Sequence, residues 1–166
     1  MEALELSTQS PAFQLSLRVR HPSIDPAALS REFAIEAEHS FQAGQPRRSR
    51  SGLTPGSVHA ETYWLATLNP ASWLDLTFPG RPSLEAAKKL MGAAVTQSLG
   101  WALSLSATRF RNRHAALLQQ ISSEGGRVTL LVALSAGTVS GFSLTPEVGR
   151  TFAELGITLE FEFTGD

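Results

Sequence analysis

Cysteine is absent from all 166 residues of the chain. Disulfide bridges and thiolate-held metal centres are therefore excluded as sources of stability or chemistry. Charge is also sparse: 17% of residues are Asp, Glu, Lys or Arg, and the formal net charge is −1. No overall field exists to draw the protein onto nucleic acid or an anionic membrane. None of the four histidines, His21, His39, His59 and His114, stands in a His-Glu-x-x-His pair or another close metal-ligand spacing. No glycine-rich phosphate-binding pattern occurs. In Gly137-Thr-Val-Ser-Gly141 the serine comes one place late for a nucleophile elbow, so a glycine-rich turn is expected there. These absences predict no cofactor, no metal and no catalytic residues.

Long apolar runs are missing too. Leu90 to Ala107 is uncharged over 18 residues, the lower limit for a spanning helix. Thr96, Gln97, Ser98, Ser104 and Ser106 make it too polar to insert. Met1 to Pro11 is acidic and lacks the basic-then-apolar pattern of a signal peptide. It reads as a short leader (1–11), and a cytoplasmic location without membrane contact is expected. The 42% hydrophobic content suits one domain with a substantial core over 1–166.

What is present is a strand and helix that recur. Phe13, Leu15, Leu17 and Val19 alternate with Gln14, Ser16, Arg18 and Arg20, the period-two pattern of a strand with one buried face. His21-Pro22 ends it. Asp25-Pro26 then supplies an N-cap followed by proline at the first helical position, with Ala28, Leu29, Phe33 and Ala37 as the apolar stripe. The echo is Phe142-Ser-Leu-Thr-Pro-Glu, where Thr145-Pro146 repeats the cap. A helix to Gly156 follows, then the alternating strand Ile157 to Phe163. Between the copies lie a Gly-, Pro-, Ser- and Arg-rich stretch over 43–57, expected to be a mobile basic loop, and a strand over Val58 to Leu68. A helical insert over 82–124 and a strand over Arg127 to Leu134 complete the order. The insert is expected to be two helices with a break, Arg109, Arg111, Arg113 and His114 gathering at the start of the second.

This order predicts an α+β ferredoxin-like sandwich: two strand–helix–strand units forming an antiparallel sheet, helices on one face, the helical insert between the repeats. The first and third main strands are then central and parallel, and the last flanks the first. Arg18 and Arg20 should face Glu160 and Glu162.

The run Leu17-Arg18-Val19-Arg20-His21-Pro22-Ser23-Ile24-Asp25-Pro26 resembles the opening of a bacterial family known only as domain of unknown function 4279. Gly44-Gln-Pro-Arg47, Glu61-Thr-Tyr-Trp64, Gly125-Gly126-Arg127-Val128 and the Leu144-Thr-Pro-Glu helix are similar to its other recurring blocks. The stretch between Trp64 and Arg127 is longer than the family needs. The resemblance implies no reaction. It is compatible with an immunity-type or accessory protein.

The best candidate binding residues are Arg47, Arg48 and Arg50, whose forked guanidiniums suit phosphate or carboxylate, with Tyr63, Trp64 and His39 nearby in sequence. The first strand offers no outward aromatic and the third offers Arg127, Thr129, Leu131 and Ala133, which argues against nucleic-acid binding of the RNA-recognition type. The leading expectation is a non-enzymatic cytoplasmic binding protein that recognises another protein. The alternative is a small-ligand binder or enzyme, with His39, Arg47, Arg48 and Trp64 gathered at one site. A third reading is a homodimer through the small-residue stripe Gly92, Thr96, Gly100, Ser104 and Thr108 of the helical insert.

Overall fold

A computed structural model describes residues 13–49, 52–69, 99–135 and 142–164. The alternating stretches form the strands expected of them. β1 is Phe13–His21, β6 is Arg127–Ser135 and β7 is Ile157–Thr164. α1 (Pro26–Phe33) starts where the Asp25 carboxylate accepts the Ala27 N–H at 2.9 Å. α4 (Pro146–Glu154) starts under Thr145, whose hydroxyl accepts from the Val148 N–H. Both helices carry proline in the first turn, where its missing N–H costs nothing.

Among the described residues, four more strands lie between α1 and the helical insert: β2 (His39–Phe41), β3 (Pro46–Ser49), β4 (Gly52–Val58) and β5 (Thr62–Leu68). The expected loop over 43–57 therefore contains a two-stranded ribbon, β3 paired antiparallel with β4. The expected Val58–Leu68 strand divides at His59 to Glu61, with the ribbon on one side and a sheet strand on the other. Of the helical insert, α2 (Leu99–Arg109) and α3 (Ala115–Ser123) are described, joined by a π-helical turn over Phe110–His114, so Arg109 ends the first helix, and Arg111, Arg113 and His114 stand in the junction instead of opening the second. Residues 82–98 lie outside the described residues, as do the leader and the 136–141 turn.

The main sheet runs β2-β5-β1-β6-β7. It is mixed, which corrects the antiparallel ferredoxin-like expectation. β1 is antiparallel to both β5 and β6, so the first and third main strands are central but not parallel. With both edges of β1 taken, the last strand cannot flank it. β7 instead pairs parallel with β6, after the crossover through α4. The first unit is different: β5 lies between β1 and β2. The two copies of the sequence pattern thus have unequal topologies.

One face of the sheet is the core. Leu15, Leu17, Val19, Trp64, Ala66, Leu130 and Val132 are buried there against Leu29, Phe33, Leu103, Phe110, Leu118, Ile121 and Phe152 of the helices. The opposite face carries the alternate positions. Arg18 reaches from β1 across β6, over Thr129, to pair with Glu160 on β7. The expected ion pair therefore forms although its strands are not neighbours. Arg20 pairs elsewhere, with Glu61.

The end of β1 is pinned to the end of α3. His21 Nδ1 accepts the backbone N–H groups of Ser23 (3.1 Å) and Ile24 (2.8 Å), so its ring proton sits on Nε2, 3.1 Å from Glu124 Oε2. Gly126 packs against this ring so closely that a Cβ there would lie 2.6 Å from His21 Cδ2 and 2.8 Å from the Ile121 carbonyl oxygen. Gly125 adopts φ +83°, the left-handed conformation that glycine accepts without strain. These two glycines bring Pro22 and Gly125 together at one end of the sheet.

Candidate functional site

Period two places Tyr63 on the face opposite the core, between Arg20 of β1 and Phe41 of β2, its register partners on either side. Adjacent strands stand about 4.8 Å apart, so rings rising from neighbouring strands stack. The Phe41 and Tyr63 ring centroids are 5.1 Å apart with planes 13° from parallel. Arg20 Cζ lies 5.7 Å from the Tyr63 centroid, within cation–π range.

His59 extends the ladder on the far side of Phe41. Its ring stacks on Phe41 at 3.7 Å and 20°. The backbone fixes this position. Gly44 N–H donates to the His59 carbonyl at 2.8 Å, and His59 N–H donates to the Gln45 carbonyl at 2.9 Å. Gly44 needs its φ of +81° to make that turn. The result is a row of imidazole, phenyl, phenol and guanidinium.

A cleft of about 500 Å³ opens along this row, lined by Arg20, Phe41, Arg47, His59, Glu61 and Tyr63, with Pro22 and Gly125 at one end. The volume falls in the usual range for ligand sites. Glu61 is its sole acidic lining residue, and that carboxylate is held between Arg20 (3.0 Å) and Arg127 (3.7 Å). Arg47 is exposed at the base of the ribbon and has no hydrogen-bond or ion-pair partner among the described residues. From His39 to Ala60 the chain carries no acidic residue. Two guanidiniums, Arg20 and Arg47, thus line the cleft with one carboxylate that is already paired with Arg20 and Arg127, which leaves the Arg47 charge to favour an anion.

The predicted site residues divide. Arg47 and Tyr63 line the cleft. Arg48 lies on β3 opposite Leu53, and Arg50 lies outside the described residues. His39 is exposed on the outer sheet face opposite Leu65, away from the cleft lining. Trp64 is fully buried on the core face, its indole N–H donating to Ser30 Oγ at 3.0 Å. Its removal from the site is a correction with a simple cause: consecutive strand residues point to opposite faces. His39, Arg47, Arg48 and Trp64 therefore do not form one constellation.

Arg20, Phe41, His59 and Glu61 were not expected in the site. Glu61 and Tyr63 share a face by their spacing of two, a signal present in the sequence. Phe41 and His59 sit in aperiodic stretches, and only the strand pairing brings them together. Among the described residues, no group of three or more His, Cys, Asp or Glu is placed to hold a metal ion. No described helix is long and apolar enough to cross a membrane. On the small-residue stripe, Gly100 faces inward, where a Cβ would lie 3.4 Å from the Ser143 carbonyl oxygen. Gly92 and Thr96 lie outside the described residues.

A second group of titratable side chains is interior. Arg109 is buried and points its guanidinium toward the Phe33 carbonyl at 3.5 Å. Burial lowers its pKa, with the Arg113 charge adding to the effect. His114, at the end of the π-turn, packs its ring 5.0 Å from Phe33. Burial, then the charges of Arg109 and Arg113, lowers its pKa to about 4. It is a neutral core ring at pH 7.

No family model, curated protein or solved structure matches this chain. The likeness to the domain of unknown function 4279 family accordingly rests on the residue blocks quoted above.

Proposed function

We propose that this chain is a binding protein, not an enzyme, and that it recognises another protein through the ring-and-arginine cleft. The target is an acidic segment carrying an aromatic side chain. Arg47 takes a carboxylate of the segment, and Arg20 adds a second charge-assisted contact. The Phe41–Tyr63 row receives the aromatic group along its exposed edges. An immunity or accessory role in the cytoplasm is one setting for such recognition.

The observation that carries this reading is the cleft's composition: three stacked rings beside an arginine without a partner among the described residues. Aromatic residues and arginine are the side chains enriched at the energetic centres of protein interfaces. The test is fluorescence anisotropy with a labelled peptide of aspartates flanking one tyrosine, and a lysine-substituted peptide as control. Saturable, salt-sensitive binding of the acidic peptide, weakened about tenfold or more by Arg47→Glu, is expected. Equal affinity for both peptides, or indifference to Arg47→Glu, would remove the cleft from the function.

A further inference from the structure

The two edges of the main sheet are unlike. The β2 edge has three residues, and a short edge strand is itself a guard against unwanted pairing. The β7 edge has eight, Ile157 to Thr164, with no proline, glycine or lysine within it. Among the described residues its only strand partner is β6, so its other row of backbone donors and acceptors is unpaired. Such a row is a template for another strand.

A second observation falls on the same edge. Four large apolar side chains are exposed among the described residues: Val58, Phe142, Leu144 and Phe163. Phe163 is on β7 and is 74% exposed. Phe142 stacks on Phe161 of β7 at 5.1 Å, and Leu144 follows it in the approach to α4. Two of the four, Phe142 and Phe163, thus lie on or against the strand whose outer edge has no strand partner among the described residues.

We infer that β7 pairs antiparallel with β7 of a second copy of this chain, joining two five-stranded sheets into one across a two-fold axis. The β7 side chains select the register. A two-fold antiparallel pair must place like faces together, so the axis passes through one residue position. Centred on Glu160, the two Glu160 carboxylates oppose each other. Centred on Phe161, each Glu160 opposes a Glu162. Both registers carry the like-charge penalty of directly opposed strand residues. Centred on Leu159, each Glu160 opposes Thr158, Leu159 meets Leu159, and Phe161 meets Ile157. That register avoids every Glu–Glu pair and matches aromatic with β-branched side chains, a favourable cross-strand pair. Each Glu160 also keeps its own Arg18.

The absence of cysteine makes the geometry readable with single introduced thiols. In the Leu159-centred pair, positions 158 and 160 of different copies lie about 5 Å apart, while two copies of position 160 lie diagonally at about 7–8 Å. The experiment combines sedimentation of the native chain with cross-linking of Thr158→Cys and Glu160→Cys by a thiol reagent spanning about 5 Å. The expected results are a dimer mass and a linked heterodimer when the two variants are mixed, with much less product from Glu160→Cys alone. Thr158→Glu, at an exposed position, places a carboxylate opposite Glu160 of the second copy in that register, and should keep the native circular dichroism and weaken the dimer about tenfold. A monomer at all concentrations overturns the inference. So does a dimer that gives no mixed product, or one in which Glu160→Cys links mainly to itself.

Discussion

His114 makes the fold acid-sensitive in a defined window. Its imidazole is buried between Phe33 and Phe110 near the charges of Arg109 and Arg113, and its pKa is about 4 against an ordinary 6.5. The unfolded chain therefore binds a proton below pH 6.5 that the folded chain refuses until about pH 4. Folding stability rises with pH wherever the unfolded state holds more protons. The His114 contribution is complete above pH 6.5 and is lost progressively as pH falls toward 4. Two-state linkage with these pKa values gives a loss of about 1 kcal/mol at pH 6 and about 2 kcal/mol at pH 5. His114→Phe removes the titration and keeps a ring against Phe33. Since His114 Nε2 has no hydrogen-bond partner among the described residues, the change should alter stability at pH 7 by only about 1 kcal/mol. The assay is urea denaturation at pH 7, 6 and 5, followed by tryptophan fluorescence, with Trp64 buried in the core as a reporter. Comparing the two proteins cancels the titration of the carboxylates they share. The variant should lose about 2 kcal/mol less than the native chain between pH 7 and 5. Equal losses would show that the His114 ring is solvated or paired.

Three further substitutions probe the scaffold under the cleft. Gly126→Ala forces a Cβ to within 2.7 Å of Ile121 Cγ2 and 2.8 Å of its carbonyl oxygen, and should destabilise by about 2–3 kcal/mol in chemical denaturation; a neutral result would mean that the β1–α3 junction is looser than described. Ala34, the α1 cap, stands at φ 54°, so Ala34→Gly should raise the melting temperature, with a gain of about 0.5–1 kcal/mol. Ser30→Ala strips the buried Trp64 N–H of its acceptor and should cost about 1–2 kcal/mol in the same assay.

Much of the fold was legible because alternation and capping are local. β1, β6 and β7 could be located from period-two patterns, and α1 and α4 from Asp25-Pro26 and Thr145-Pro146. Strand direction was not legible. Whether β7 lies beside β1 or β6 depends on which edges other strands have already occupied, a long-range fact that no local pattern encodes. The β3–β4 ribbon was missed for a different reason. Its Gly, Pro, Ser and Arg composition is that of a loop, and its apolar residues show no period-two alternation to mark it as strand. In the site, Arg47 and Tyr63 could be found by residue type. Tyr63 and Trp64 could not be sorted between cleft and core until the register was known. Phe41 and His59 join them only through the pairing of β2 with β5 and the turn at Gly44.

Tyr63 is the only tyrosine in the chain and stands in the middle of the ring row. Incorporating fluorotyrosine therefore gives one fluorine NMR signal, reporting from the cleft alone. Titration with the aspartate–tyrosine–aspartate peptide should move that signal saturably, with the shift suppressed by added salt and by Arg47→Glu. A signal unmoved at millimolar peptide, in a protein that still unfolds cooperatively, would contradict recognition through this cleft.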